Sequence, residues 1–342
     1  MANSRPPLTT ALGSGGDFPY RLVDERGRGL TDFYGDGLTD DVSHGLYGLP
    51  PDGLSPDVPG AIQFSPLIPG SAALEAQAPH ALAGFVMLAP PGTIERRYAA
   101  ALGLRALAVG APFTILAPKD RGGSRLAAEL EAFGCIVHDQ ARRHHRICSG
   151  VRPADLDGLD QALAEGGPRQ VEADGPWSQP GVFSWDRIDP GSALLAQHLP
   201  ILAGRGADFG CGIGTLALAA LASPKLVHLT LLDIDRRAVE AARRNIADPR
   251  VTIRWADVRQ PDSTLTKLDF VVMNPPFHDG GAEDRSLGQT FIRRAAESLR
   301  TGGRLWLTAN RHLPYESVLK PLFKRITPVV EAAGYKVYEA QK

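Results

Sequence analysis

Short apolar runs alternate with amphipathic stretches through the second half of the chain. The runs at 227–232, 251–255 and 268–273 predict buried strands, and the periodicity of residues 236–245 predicts a helix. Strands that alternate with helices in this way are typical of an α/β domain with a largely parallel sheet.

The same alternation begins at residue 81 in the first half. Residues 1–60, by contrast, are punctuated by Gly, Pro and Asp, so their pattern places only short elements. The predicted elements are strands at 85–89 and 112–117, a further strand that starts at 134–137, and helices at 96–107 and 124–133.

The two halves also match each other in sequence. Residues 85–92 line up with 270–277, and residues 107–117 line up with 299–309, with a predicted helix between the two segments of each half. Self-similarity of this kind indicates repeated structural units. We therefore predict that the two halves are copies of one set of βα units.

The length and a shift in composition predict two domains. A chain of 342 residues is longer than one hydrophobic core normally serves. Residues 151–179 are enriched in charge, Gly and Pro, which is typical of an interdomain linker. The predicted organisation is a first domain over 1–150, a linker over 151–179 and a second domain over 180–342.

The strand predicted at 268–273 stops at Asn274-Pro275-Pro276-Phe277. Proline fixes its own φ and restricts the residue before it, so Asn274 is expected to be extended at the strand tip, with its amide projecting from the sheet edge. The amide can accept and donate hydrogen bonds, and the carbonyls of Asn274 and Pro275 have no ladder partner. A planar amine would find acceptors on one side and the ring of Phe277 on the other. The motif indicates chemistry on an amino nitrogen; the alternative is a proline-terminated loop without a ligand.

The aligned positions of the first half have lost this niche. Ala89 stands where the second half has Asn274, and Gly92 stands where it has Phe277. The first half is therefore predicted to be a non-catalytic copy that retains the fold.

A glycine-rich loop at residues 210–214 follows a predicted strand. It carries Gly210, Gly212 and Gly214, with Asp208 two places before the first glycine. Glycines let the backbone turn tightly and pass close to a ligand, and the helix that follows presents free N–H groups. The dinucleotide fingerprint would place its third glycine at Thr215. A cofactor loop and an ordinary tight βα turn both fit the motif on its own.

Acidic side chains follow the next two strands. Asp233, roughly 20 residues past the glycines, can accept both hydroxyls of a ribose, and Asp257 can accept an adenine amino hydrogen. Asp235 is interpreted as a helix N-cap, and Trp255 as a packing residue. Because ligands bind beyond the carboxyl ends of strands in an open α/β sheet, these ends and Asn274 together predict one adenosine-containing cofactor site.

Composition and charge restrict the partners. Hydrophobic residues make up 43% and charged residues 22% of the chain, and the formal net charge is −1. A sequence-blind nucleic-acid binder would be more basic, so a polyanion would have to be bound by a local patch. Residues 142–146 read Arg-Arg-His-His-Arg. Arg142 and Arg143 are candidates for phosphate contacts, and a solvated face is the alternative.

The three cysteines, Cys135, Cys148 and Cys211, have no CxxC spacing, which argues against a disulfide framework or a zinc site and for a reducing compartment. The chain begins without an apolar signal segment and has no run that could span a bilayer. A soluble, cytoplasmic protein without a metal is expected.

These motifs resemble those of the class I S-adenosylmethionine-dependent methyltransferases. Within that class the chain is similar to the C-type guanine-N2 methyltransferases of small-subunit ribosomal RNA and to their large-subunit relatives. Two positions depart from the expected pattern, since Pro190 stands where a β-branched residue is expected and Ser192 where threonine is expected. The resemblance covers residues 180–323, with matching segments at 180–184, 189–192, 208–214, 274–280 and 309–315.

The resemblance implies two tandem Rossmann-like α/β methyltransferase domains, of which the first is degenerate and serves substrate recognition or structure. It implies S-adenosylmethionine as the cofactor and catalysis by Asn274, Pro275, Pro276 and Phe277. His278 and Asp279 would pass the departing proton to solvent or serve the loop structure. The implied cofactor-binding residues are Phe183, Asp208, Gly210, Gly212, Gly214, Asp233, Asp257 and Asn274.

The resemblance also implies a substrate and partners. The expected reaction is methylation of the exocyclic N2 amine of a guanine in ribosomal RNA, with 16S RNA of the small subunit favoured over 23S. A monomer is expected, because the covalent tandem can substitute for a dimer. The same motif also resembles adenine-N6 DNA methyltransferases and glutamine methyltransferases of release factors. A non-catalytic assembly factor that binds S-adenosylmethionine is a further alternative, and a nicotinamide dehydrogenase is the weakest.

Overall fold

A computed structural model describes residues 43–276, 278–279, 282–283 and 285–342. These residues form two compact units. The first unit runs to Ser65 and continues over Ser71–Glu165, and the second unit comprises Pro66–Gly70 and Gly166–Lys342.

The first unit is an α/β structure built on one mixed sheet. Its described strands lie in the order β2-β1-β3-β4-β6-β5. The first four of these are parallel to their neighbours, whereas β6 is antiparallel to both β4 and β5. The strands are β1 (Ser43–Tyr47), β2 (Ile62–Phe64), β3 (Leu82–Leu88), β4 (Pro112–Pro118), β5 (Val137–Arg142) and β6 (His145–Val151), and the helices are α1 (Thr93–Ala106), α2 (Ser124–Glu131) and α3 (Leu159–Gly166).

The second unit is built on a larger mixed sheet in the order β11-β10-β9-β12-β15-β17-β16. The strands from β11 to β15 are parallel, and β17 is antiparallel to β15 and β16. Its strands are β7 (Arg169–Gln170), β8 (Trp177–Ser178), β9 (Ala203–Phe209), β10 (Lys225–Asp233), β11 (Val251–Trp255), β12 (Leu268–Met273), β13 (His278–Asp279), β14 (Ala282–Glu283), β15 (Leu299–Asn310), β16 (Arg325–Ala332) and β17 (Tyr335–Gln341). Its helices are α4 (Pro190–His198), α5 (Thr215–Leu221), α6 (Arg236–Asn245), α7 (Arg285–Ser298) and α8 (Glu316–Leu319).

Both faces of β12, at the centre of the second sheet, are buried. Val271 and Met273 pack into the core on one face, and Phe270 and Val272 pack into the core on the other. Successive side chains of a strand point to opposite faces, so a strand that is apolar throughout must be covered on both sides. This explains why residues 270–273 of β12 form a continuous apolar run.

The two sheets share one topology. The order β2-β1-β3-β4-β6-β5 corresponds, strand for strand and in polarity, to β10-β9-β12-β15-β17-β16. The second sheet adds β11 at its edge. The sequence match between 85–92 and 270–277 aligns β3 with β12, which hold the same place in the two orders.

Most of the predicted elements are present. Residues 251–255 and 236–245 form β11 and α6 with the predicted bounds, and α1 and β4 begin or end within three residues of the prediction. The short elements predicted before residue 43 lie outside the described residues.

Two of the predicted boundaries that differ from the structure have a clear local cause. The strand predicted to start at 134–137 begins only at Val137, because Gly134 turns the chain with a φ of 84°. The segment 151–179, predicted as a linker, contains α3, β7 and β8 and is divided between the units after Glu165. Its high content of charge, Gly and Pro made α3 hard to recognise. The apolar face of α3, which includes Ala162, packs against the core of the first unit.

Candidate active site

Predicted site residues that follow three different strands lie at the same edge of the second sheet. Parallel pairing places Phe209 of β9 opposite Leu232 of β10 and Met273 of β12. The loops that follow these strands therefore emerge side by side. This brings the glycine loop, Asp233 and Asn274 together at the carboxyl ends of the strands, where ligands bind in such sheets.

The glycine loop has a backbone that requires glycine. Gly210, Gly212 and Gly214 have φ angles of 73°, 53° and 98°, a region that other residues seldom adopt. A Cβ on Gly214 would lie 2.6 Å from Cδ1 of Ile246, so this glycine is also needed for packing. Among the described residues, no atom beyond the chain neighbours lies within 4 Å of a Cβ built on Gly212. The space beside Gly214 is therefore filled by protein atoms, whereas the space beside Gly212 is free for a ligand.

Asp233 links this loop to the end of β10. One carboxylate oxygen accepts from the N–H of Gly212 at 2.8 Å, and the other accepts from the N–H of Asp235 at 2.8 Å. Burial raises the pKa of Asp233 to about 6, even though these hydrogen bonds oppose the shift. Asp235 in turn caps α6 by accepting from the N–H of Arg237 at 2.9 Å, which confirms its interpretation as an N-cap.

Asp208 is a buried carboxyl group without a regular partner. It is completely buried, and neither carboxylate oxygen makes a hydrogen bond of normal geometry within the described part of the chain. Burial, followed by the charge of Asp233, raises the pKa of Asp208 to about 8, although the nearby N–H of Ala217 lowers it. An uncompensated carboxyl at this depth is costly unless a cation or a proton neutralises it.

We expect Asp208→Asn to raise the melting temperature of the ligand-free protein by more at pH 8 than at pH 5. The pKa of Asp208 lies above the ordinary value of 3.8 in the folded state. The folded chain therefore holds a proton that the unfolded chain releases, and stability falls as the pH rises from about 4 to about 8. Asparagine cannot ionise and escapes this loss, which is at most about 1.4 kcal/mol for each pH unit.

Thermal unfolding at pH 5, 6.5 and 8 measures this difference. Asp262→Asn is a matched control of opposite sign. Partial burial raises the pKa of Asp262, but hydrogen bonds from Thr264 and Arg254 lower it by a larger amount. The net shift of the pKa is therefore downward. Asp262 is therefore ionised in both the folded and the unfolded chain at pH 5 and above, and that variant should lose the same stability at all three pH values. An Asp208→Asn gain that is equal at all three pH values would contradict the proposed burial effect.

Asn274 is anchored by residues at the start of α4. Its side-chain nitrogen donates to Oδ2 of Asp189 at 2.8 Å and to Oγ of Ser192 at 2.9 Å. Pro275 is buried and Pro276 is half-buried, so the double proline packs against the unit as a rigid end to β12. The sequence motif identified Asn274 but not these two partners. The only sequence signal is the helix start Asp-Pro-Gly-Ser, with an N-cap residue followed by proline.

Three other predicted positions differ in their surroundings. The carboxylate of Asp257 accepts from Nε of Arg259 at 2.9 Å and is therefore already in an ion pair. Phe183 is 62% exposed, unlike most aromatic side chains of this unit. Trp255 donates from Nε1 to the carbonyl of Ile234 at 2.8 Å, which supports a packing role.

Several predicted substrate residues lie elsewhere or are not described. Arg142 and Arg143 are in the first unit, at the tip of the β5–β6 hairpin, where Arg143 donates to the carbonyl of Asp52 at 3.2 Å. Phe277 lies outside the described residues. For His278 and Asp279 the backbone pairs with residues 282–283, and the roles of their side chains stay predictions.

The described residues present neither a metal cluster nor a membrane-spanning helix. No group of three or more His, Cys, Asp and Glu side chains there is placed to hold a metal ion. Within the same residues, every helix is too short or too polar to cross a bilayer.

The chain is similar to known proteins over different lengths. The family described as the methyltransferase small domain matches residues 176–339. The ribosomal RNA small subunit methyltransferase C of Shewanella sp. (strain MR-4) is 37% identical over 162 residues, which is 47% of this chain and 47% of that protein. The match thus spans about half the length of the Shewanella relatives.

Longer matches extend into the first unit. The protein of the same description from Pseudomonas aeruginosa (strain LESB58) is 31% identical over 317 residues, covering 87% of this chain and 94% of that protein. A solved structure described as T. thermophilus 16S rRNA N2 G1207 methyltransferase (RsmC), in complex with AdoMet and guanosine, has a TM-score of 0.69 at 22% identity. It covers 98% of both chains and has the same fold. On the near full-length match to the Pseudomonas protein, the chain belongs to the family of ribosomal RNA small subunit methyltransferase C.

Proposed function

We propose that this chain transfers a methyl group from S-adenosylmethionine to the exocyclic N2 amine of a guanine in 16S ribosomal RNA. The observation that carries the proposal is the anchored amide of Asn274 at the end of β12, next to the glycine loop. Family membership supports the substrate class. The T. thermophilus protein of the same fold is described as acting on N2 of G1207 and holds AdoMet and guanosine.

The second unit fits S-adenosylmethionine chemically. The cofactor carries a sulfonium and an ammonium group, and Asp208 is a buried carboxyl that has no regular partner of its own. The open space at Gly212 leaves room for a ligand against the backbone. The residues that would hold the cofactor are Phe183, Asp208, Gly210, Gly212, Gly214, Asp233, Asp257 and Asn274.

When bound, S-adenosylmethionine supplies an electrophilic methyl group on a positively charged sulfur. The protein's task is to present the amine. Oδ1 of Asn274 and the carbonyl of Pro275 accept the two amine hydrogens, which pyramidalises the nitrogen towards the methyl group and takes its lone pair out of conjugation with the ring. Phe277 stacks on the base, which must leave any helix to reach the pocket. Alignment and fixed acceptors supply most of the rate, and His278 or Asp279 passes the proton to solvent.

The first unit is proposed to be a non-catalytic copy of the second. Three features support this interpretation: the shared strand order, Ala89 in place of Asn274, and the surroundings of Arg96. The guanidinium of Arg96 donates to the carbonyls of Pro90 and Pro91 at 3.2 and 2.8 Å. These are the carbonyls that follow β3, at the place where the second unit would receive an amine.

Arg96 is itself held in that place. Its side chain is 1% exposed and forms an ion pair with Glu129, with 2.6 Å between Nη2 and Oε1. A Cβ on Gly122 would overlap Nη1 of Arg96, so the loop before α2 closes directly over the guanidinium. The acceptors of the first unit are therefore satisfied within the unit, which supports a role in structure or RNA recognition rather than transfer.

The remaining partner proposals concern RNA. Arg142 and Arg143 at the hairpin tip are proposed to contact backbone phosphates, which carry no sequence information but fix position. A monomer that acts on ribosomal RNA or on the small subunit in the cytoplasm is consistent with the tandem of units in one chain.

Methyl transfer from labelled S-adenosylmethionine tests the proposal. The acceptors are small subunits, large subunits and naked ribosomal RNA from cells that lack the modification, duplex DNA, and a release factor. Digestion of the product identifies the modified unit. We expect N2-methylguanine from 16S RNA. Label only in DNA adenine or in protein glutamine would contradict the substrate, and a bound cofactor without any transfer would favour a non-catalytic assembly factor.

A further inference from the structure

The orientation of the Asn274 amide is fixed by hydrogen-bond chemistry. The atom that faces Asp189 and Ser192 lies 2.8 Å from a carboxylate oxygen and 2.9 Å from a hydroxyl oxygen. An ionised carboxylate can only accept, so the amide must present its nitrogen there. A side-chain amide has two N–H hydrogens, and these two contacts use both. Oδ1 of Asn274 is left as the group available to a ligand.

Asp189 and Ser192 are in turn held in place. Asp189 and Ser192 are 9% and 8% exposed. Oδ2 of Asp189 also accepts from the N–H of Ser192 at 2.7 Å, which makes Asp189 the N-cap of α4. The hydroxyl of Tyr335 hydrogen-bonds to the same carboxylate, and Gly191 lies against the Tyr335 ring, since a Cβ there would be 2.5 Å from Cδ1. The carboxylate is thus fixed from α4 and from β17.

We propose that Asp189 and Ser192 are positioning residues that lock the Asn274 amide with its oxygen towards the substrate amine. This inference rests on the proposed function and adds a source of specificity to it. An amide turned the other way would present N–H groups, which match a base carbonyl such as O6 of guanine. The locked amide presents an acceptor, so it favours a group with hydrogens to donate and disfavours a base carbonyl such as O6.

The substitution Asp189→Asn separates this role from helix capping. Asparagine is about as good an N-cap as aspartate, so α4 keeps its start. The introduced side chain can present either an oxygen or an NH2 group to Asn274, whose amide is then no longer held in one orientation. We expect kcat to fall about tenfold or more. The KM for RNA and the Kd for S-adenosylmethionine should stay within about twofold of the wild-type values. The reason is that the substitution does not change contacts that are equally strong in the ground state and in the transition state.

Ser192 offers a graded comparison. Ser192→Ala removes one of the two acceptors and should lower kcat about threefold, less than Asp189→Asn, since one hydrogen bond to the amide remains. Ser192→Thr keeps the hydroxyl and should retain kcat close to that of the wild type. Asp262→Asn, an exchange of the same type on a loop outside the site, is the control and should leave kcat unchanged.

A reciprocal exchange tests the polarity of the pair. Asn274→Asp alone places two carboxylates against each other, so we expect a kcat at least about a hundredfold below that of the wild type. In the double variant Asp189→Asn with Asn274→Asp, the amide introduced on α4 donates to the new carboxylate, whose other oxygen still faces the amine. The double variant should then be about tenfold more active than Asn274→Asp alone, a coupling that a merely structural role would not produce.

Two results would overturn the inference: wild-type kcat in Asp189→Asn, or a double variant no more active than Asn274→Asp. Failure of the proposed function is recognised separately, in the wild type. If the wild type methylates another amine, the same variants are measured on that amine and decide the inference there. A wild type that binds S-adenosylmethionine but transfers to none of the acceptors would overturn both.

Discussion

Asn274→Ala should lower kcat for methyl transfer at least about a hundredfold while the Kd for S-adenosylmethionine changes about twofold or less. The substitution removes the one acceptor whose orientation is fixed by Asp189 and Ser192. Fixed acceptors and donors in a site that excludes water typically contribute a factor of this size each. The cofactor's charged and ribose groups would be bound mainly by Asp208 and Asp233, which this change leaves intact.

Single-turnover transfer to 16S RNA and calorimetric titration of the cofactor measure the two quantities. Alanine also leaves Asp189 without one of its donors, so the unfolding temperature must be recorded alongside. Asp189 keeps the N–H of Ser192 and the hydroxyl of Tyr335, and therefore the loss of stability should be small. Equal loss of transfer and of cofactor affinity would contradict the assigned role of Asn274.

The meeting of the glycine loop, Asp233 and Asn274 at one sheet edge could be predicted because each of them follows a strand. Gly210, Asp233 and Asn274 are far apart in the chain, but each comes directly after an apolar run. In a parallel sheet the carboxyl ends of the strands meet at one edge, so a one-dimensional pattern is sufficient to bring these residues together. Local signals also placed α6 and β11 with the correct bounds.

What could not be predicted depends on contacts between distant parts of the chain. Asp189 precedes Asn274 by 85 residues, and nothing in either sequence segment indicates that their side chains meet. Arg96 occupies a helix position that the pattern identifies correctly, but its guanidinium folds back to Pro91 and across to Glu129. The segment at 151–179 was predicted as a linker because its charged residues and the Gly and Pro at 166–168 and 175–176 outweighed the short apolar face of α3.

Arg96→Leu should destabilise the first unit by about 3–5 kcal/mol, because it leaves the carboxylate of Glu129, only 13% exposed, without its partner. The carbonyls of Pro90 and Pro91 also lose a donor. Replacing both charges, as Arg96→Leu with Glu129→Leu, should recover most of this loss, since apolar pairs often substitute for buried ion pairs at little cost.

Hydrogen exchange of α1 and β3 reports the first unit in these variants. Tryptophan fluorescence reports the second unit, since all 4 tryptophans, Trp177, Trp185, Trp255 and Trp306, lie there. We expect the fluorescence transition and the cofactor Kd to be unchanged. If Arg96→Leu is as stable as the wild type, neither the ion pair with Glu129 nor the hydrogen bonds to Pro90 and Pro91 contribute to the stability of the first unit. If the double variant is as unstable as the single one, the loss of stability comes from the carbonyls of Pro90 and Pro91, which have lost the guanidinium as their donor. These two carbonyls, rather than the ion pair, would then determine the stability of the first unit.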